Sequence, residues 1–217
     1  DGGWWGGLPI SETGQHLNLP RSTTIANDWE YLDQKTTGLF GSLEYNFDSG
    51  WNAKFGATQT WMKTDGLGTY LYTDVSSGID RQHWAWRGNR ETQTTYIDGF
   101  VSGPVEVLNR QHELVLGASR RKTDITDTQF NTEYIDNNVD IYNWNPHSLP
   151  KPDLTFRGTL HDVITQNSGY ATARISVFDP LKVILGGRLD WYDYDDRTGD
   201  GDYSVNAQFT KYGGGLF

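Results

Sequence analysis

The sequence predicts an all-β, antiparallel chain that forms part of a transmembrane β-barrel wall. Three observations predict it. Apolar side chains recur at every second position over runs longer than the roughly 5–6 residues of a globular strand. The connections between runs alternate between short turns and long polar segments. No long run carries the 3.6-residue period of an amphipathic helix. A soluble β-sandwich shares the alternation and stands as the competing architecture, but such sandwiches seldom show the asymmetry between short and long connections.

Residues 1–27 form the first long polar segment. Residues 36–47 then read as a strand with Thr37, Leu39, Gly41, Leu43, Tyr45 and Phe47 on one face. Asp48-Ser49-Gly50 is a tight turn. Residues 51–61 return with Trp51, Ala53, Phe55 and Ala57 set against Asn52, Lys54, Thr58 and Thr60. A second long segment covers about 64–89. Residues 90–102 and 112–122 form a looser pair, without assignable faces, around a predicted turn at 103–110. After a third long segment, about 123–164, the clearest hairpin follows. Ala171, Ala173, Ile175 and Val177 share one face of its first strand. Beyond Asp179-Pro180-Leu181, the residues Val183, Leu185, Gly187, Leu189 and Trp191 share one face of the second. Arg174, Arg188 and Asp190 take the opposite face. A fourth long segment, about 193–203, precedes a seventh strand from Tyr203 onward.

In a membrane barrel the Val177, Leu185 and Leu189 face meets lipid, and Arg174, Arg188 and Asp190 look into a polar lumen or plug. Trp191, Tyr192 and Tyr194 at the long-loop end, with Phe178 near the turn, are the expected interfacial girdles. No run of 18 apolar residues exists, which excludes a transmembrane helix but not membrane strands.

Composition narrows function. The 217 residues carry 18 Lys and Arg against 28 Asp and Glu, a net charge of -10, which argues against a nucleic-acid partner. The absence of cysteine removes thiolate catalysis and thiolate metal sites. The 5 histidines are scattered, and no base–nucleophile constellation exists, so neither an enzyme, a cofactor nor a resident metal is expected. The run DYDDRTGDGDYS, from Asp193 to Ser204, faintly resembles a calcium loop but lacks its terminal bidentate Glu; it reads as a solvated loop. The opening DGGWWGGLPI has neither a basic start nor an apolar core, so it is no signal peptide and reads as a cut start.

Several stretches resemble TonB-dependent siderophore receptors, in particular the ferric-pyoverdine and hydroxamate-type branch. Pro20-Arg21-Ser22, Asp28-Trp29 and Gly50-Trp51 match the family's early strands. HELVLGASRRKTD (112–124) and ATARISVFDPLKVILGGRLDWYDY (171–194), including the Asp179-Pro180-Leu181 turn, are similar to its mid-barrel strands. The resemblance runs over essentially the whole of 1–217, read as one partial barrel domain. It implies a barrel of about 22 strands in the bacterial outer membrane, with a plug in the lumen. It also implies a ferric siderophore bound at the outer mouth and an energy-supplying TonB complex acting on the plug. The plug and the remaining strands are expected to lie outside this chain, since an open sheet cannot span lipid alone. Phe217 resembles the terminal phenylalanine of outer-membrane proteins, but KYGGGL before it lacks the alternation expected there.

On that resemblance, aromatics in the long segments are candidate ligand contacts: Trp4, Trp5, Tyr70, Tyr72, Trp84, Trp86, Tyr142 and Trp144. Their rings can stack on a chelate, and Arg81 or Arg87 can pair with its negative charge. RQHWAWRGNR concentrates these groups, so Trp84, Trp86, Arg81 and Arg87 come first, followed by Tyr142 and Trp144. The competing role for each ring is membership of the interfacial girdle. Alternative functions are a small outer-membrane adhesin or structural barrel, and a soluble carbohydrate-binding sandwich.

Overall fold

In a computed structural model, the structure describes residues 15–16, 18–72, 82–136, 140, 142–196 and 209–216, the last as backbone only. The described residues contain eight strands and no helix: β1 (Tyr31–Asn46), β2 (Asn52–Tyr72), β3 (Gln82–Val107), β4 (Arg110–Phe130), β5 (Glu133–Asp136), β6 (Phe156–Phe178), β7 (Leu181–Asp196) and β8 (Phe209–Leu216). They form one antiparallel sheet in the order β1-β2-β3-β4-β6-β7-β8, with the short β5 paired to β3. Among these residues the path does not close on itself, so β1 and β8 are its edges.

The seven predicted strands are present, but most run further than alternation suggested. β3 spans 26 residues and β6 spans 23, well beyond the roughly 9–11 residues that a tilted strand needs to cross a bilayer. Residues 64–72, 82–89, 123–130 and 156–164, expected in long connections, are strand. The predicted turn at 103–110 is also corrected. The chain reverses at Leu108-Asn109, both at positive φ (54° and 55°), the backbone of a two-residue hairpin turn. Gly103 and Pro104, where that predicted turn begins, lie within β3. Gly103 is glycine there because the Trp51 indole crosses it; an added Cβ would come within 2.8 Å of Trp51 Cε2. At the first turn, Gly50 takes φ 81° and donates its N–H to Phe47 O at 3.0 Å.

The chain falls into two compact units. The larger comprises Thr36–Met62, Thr92–Thr126 and Leu160–Phe217. Its register shows the two faces that the alternation predicted. Ala171 stands opposite Gly187, Ala173 opposite Leu185, and Gly169 opposite Leu189, all on the apolar face. Ser168 opposite Asp190, Tyr170 opposite Arg188, and Ser176 opposite Lys182 make the polar face. Ile184, opposite Arg174, and Ile164, opposite Tyr194, are apolar exceptions on it.

The polar face is tied across strands. Arg174 Nη1 donates to both Glu113 oxygens at 3.0 Å. Arg188 donates to Asp190 from Nε and to Ser168 Oγ at 2.6 Å, while Gln166 reaches Asp190 at 2.9 Å. Tyr170 lies over Gly117 and points its hydroxyl at Asp98, 3.3 Å away. Such groups satisfy one another where water is limited. The apolar face, by contrast, leaves Leu39, Leu43, Phe55, Leu116, Leu185 and Leu189 exposed. One expectation is corrected here. Trp191 lies on the apolar face opposite Asn167, but Tyr192 and Tyr194 stand opposite Gln166 and Ile164 on the other face. Tyr194 spends its hydroxyl on Asp162 at 2.8 Å. A period of two cannot place 191, 192 and 194 in one girdle.

The smaller unit comprises Asp1–Lys35, Lys63–Glu91 and Asp127–Thr159. It has a conventional core. Ile25 and Leu71 pack with Leu19 and Trp144; Leu67, Ala85 and Leu154 pack with Trp29, Tyr31, Phe130 and Ile135. Segments around 19–31 and 144–154 thus cover the face of β2 and β3 that carries Leu67, Leu71, His83 and Ala85. Indole N–H groups fasten the cover: Trp29 Nε1 to Leu149 O at 3.0 Å and Trp144 Nε1 to Ala26 O at 2.9 Å. Asp28 adds its backbone N–H to Pro146 O and its carboxylate to His147 Nδ1 at 2.7 Å. Glu30 Oε1 accepts from Asn27 N, Asn27 Nδ2 and Thr69 Oγ1, joining the cover to β2. Burial raises the Tyr31 phenol above its ordinary value, and the neighbouring Asp65 carboxylate adds to that, so Tyr31 stays a donor.

Candidate functional site

Alternation along β3 divides the predicted site residues. His83 and Ala85 are fully buried under the cover. Trp84 and Trp86, one position out of phase, take the opposite face, where both are half-buried. Arg87 falls in phase with Ala85. Its guanidinium lies 4.6 Å from the Phe130 ring centroid, and Phe130 in turn meets Phe156 edge-on.

On that face, Trp84 packs edge-to-face on Tyr134, their centroids 5.7 Å apart. The short β5 positions that tyrosine by pairing Tyr134 with Trp84. Trp86 lies against Gly66, Gly68 and Gly88, with Leu32 and Glu30 beside it and its indole nitrogen buried. A Cβ added at Gly66 would sit 2.9 Å from Trp86 Cη2, and one at Gly68 would sit 3.2 Å from Nε1. A Cβ added at Gly88 would sit 3.4 Å from Cζ3 of the same ring. Every second residue from 84 to 90 shares this face, so Arg90 follows Gly88. It is held by Asp127 at 2.6 Å. An aromatic pair, a recessed indole and a paired guanidinium can together receive a ligand with a flat ring and negative charge.

The other predicted residues lie elsewhere. Trp144 packs edge-on against His83, 5.2 Å between centroids, within the covered core. Tyr142 is 69% exposed beside the cover. Arg81, Trp4 and Trp5 lie outside the described residues, as does most of the 193–204 run. The structure therefore brings Trp84 and Trp86 together and separates them from Arg87 and Trp144. Tyr134, Arg90 and Asp127 were not foreseen. A signal for the Trp86 contact existed: Gly66 and Gly68 alternate in DGLGTY, leaving one face of β2 bare.

Comparison with known proteins places this architecture. Residues 1–216 match the family described as TonB dependent receptor-like, β-barrel. The ferric-pyoverdine BN7/BN8 receptor of Pseudomonas putida is 30% identical over 96% of this chain. The ferripyoverdine receptor of Pseudomonas aeruginosa is 31% identical over 86% of it. The solved structure of the P. aeruginosa PAO1 pyoverdine outer-membrane receptor FpvA, bound to pyoverdine, superposes with a TM-score of 0.70. It shares 26% identity and covers 94% of this chain and 29% of its own. The chain spans 28% of the length of the first of these relatives. With its unclosed antiparallel sheet, its apolar outer face and a family match along its length, this chain belongs to the β-barrel of the TonB-dependent receptors of the Gram-negative outer membrane.

Proposed function

We propose that the full protein carries ferric siderophores across the outer membrane, energised by the TonB complex through a plug domain. The observation that carries this reading is the family match over residues 1–216, together with relatives named for ferric pyoverdine. A pyoverdine-type chelate, with its fused aromatic chromophore, is the first cargo to test. The face of the smaller unit that carries Trp84 and Arg90 supports that reading: Trp84 with Tyr134 offers aromatic surface, and Arg90, paired with Asp127, a guanidinium. The iron is cargo here; the barrel wall supplies recognition rather than chemistry.

Cells lacking the full gene and cells with it restored are compared for uptake of radiolabelled iron presented as ferric pyoverdines. Uptake should return with the gene and vanish when an uncoupler collapses the proton gradient. Restored cells that gain no uptake, or gain it regardless of the uncoupler, would refute the transport reading. Within a functional receptor, Trp84→Ala should weaken chelate binding about tenfold, as loss of a stacked ring does. Unchanged affinity would remove Trp84 from the site.

A further inference from the structure

On the apolar face of the larger unit, hydrocarbon gives way abruptly to cations. The outward positions of β4 run Leu114, Leu116, Ala118, Arg120 and Lys122. Arg120 is exposed, and its described polar partner is the neutral amide of Asn167, Nη1 to Oδ1 at 3.3 Å. Asn167 stands opposite Trp191 on β7. Trp61 is on the same face of β2, and the two indoles are 43% and 50% exposed, marking the level of a membrane interface. Lys122 adds a second charge. Its contact with Asp124 at 3.1 Å is between partly exposed groups, and such pairs hold weakly.

Below Arg120 the wall is lined by small residues: Ala118, then Gly169, Ala171, Ala173 and Gly187. The register sets Gly169 opposite Leu189, Ala171 opposite Gly187 and Ala173 opposite Leu185. This leaves a shallow apolar channel beside Leu116, Leu185 and Leu189, running down from the cations. A cation at the edge of hydrocarbon, with no carboxylate partner among the described residues, is poorly solvated unless an anion meets it. Guanidinium matches a phosphate bidentately, and a basic side chain near an anionic lipid surface strengthens attachment about fivefold. Asp193, two strands or roughly 10 Å from Lys122, is about one Debye length away and opposes this only weakly.

We propose that Arg120 and Lys122, flanked by Trp191, bind the phosphate of an anionic membrane lipid whose acyl chain lies along the Ala118–Ala173 channel. A lipid, not free phosphate, is the ligand, because cation and channel are continuous on one face.

The full receptor is purified in mild detergent with phosphatidylglycerol or phosphatidylcholine of identical chains, and retained lipid is counted by native mass spectrometry. The wild type should retain phosphatidylglycerol in preference to phosphatidylcholine. Arg120→Ala with Lys122→Ala should lower that retention about 25-fold, from the fivefold of each cation. Arg174→Ala, on the opposite face, should leave it unchanged, and inorganic phosphate should not compete. Equal retention of both lipids, retention unaffected by the double variant, or displacement by inorganic phosphate would each overturn the proposal. Should the double variant not fold, Arg120→Gln and Lys122→Gln alone, expected to lose about fivefold each, carry the same test.

Discussion

Adjacent positions 184 and 185 test which face of the wall meets lipid. Ile184 and Leu185 have similar volumes and similar exposure, 44% and 39%. Register alone separates them: Leu185 stands opposite Ala173, and Ile184 opposite Arg174. Leu185 also lies between Leu181 at the turn and Trp191 at the interface, close to mid-layer. Arginine at the midplane of a lipid face costs roughly 2–4 kcal/mol, whereas lumen positions keep their water. At 184 the added charge meets Arg174, which is already engaged by both Glu113 oxygens; opposed like charges cost about 1 kcal/mol or less. Leu185→Arg should therefore lower the folding equilibrium about 30- to 700-fold, and Ile184→Arg about fivefold at most. Reversible urea unfolding of the full receptor in phosphatidylcholine vesicles, followed by tryptophan fluorescence, measures both. If Ile184→Arg costs as much as Leu185→Arg, the faces have been assigned the wrong way round.

Two further outcomes follow from packing. Gly117→Ala would place a Cβ 2.6 Å from Tyr170 Cε2 and swing the ring away from Asp98; a loss of about 1–3 kcal/mol is expected from overpacking, and an unchanged urea midpoint would contradict the contact. Trp144→Phe keeps a ring against His83 but removes the donor to Ala26 O, a loss of about 1 kcal/mol; amide exchange in residues 142–155 should quicken, and unaltered exchange would show that this bond does not hold the cover down.

Legibility followed the environment of each strand. The hairpin from Ala171 to Trp191 was plain in the sequence because one face of both strands is apolar and the other charged, so alternation is imposed twice. Residues 64–72 and 82–89 lack that contrast. There one face is buried beneath residues 19–31 and 144–154, the other carries Trp84, Trp86 and glycines, and both read as mixed polarity. The turn at 103–110 was drawn too long: only Leu108-Asn109 reverse the chain, and Gly103 lies in β3, where it makes room for Trp51. Concentration of aromatics and arginines in RQHWAWRGNR singled out one strand, β3, but left open what each of them packs against.

The sequence by itself determined the class of protein, the strand pairs and the two-faced wall, because period-two chemistry is a local property that each strand carries alone. Only the tertiary structure decided how the candidate aromatics are buried and partnered. Trp144 is consumed by His83 and Ala26, and Trp84 gains Tyr134 from 50 residues along the chain. Burial and partnership are set by which distant segment covers a strand face, and no spacing within the strand records that.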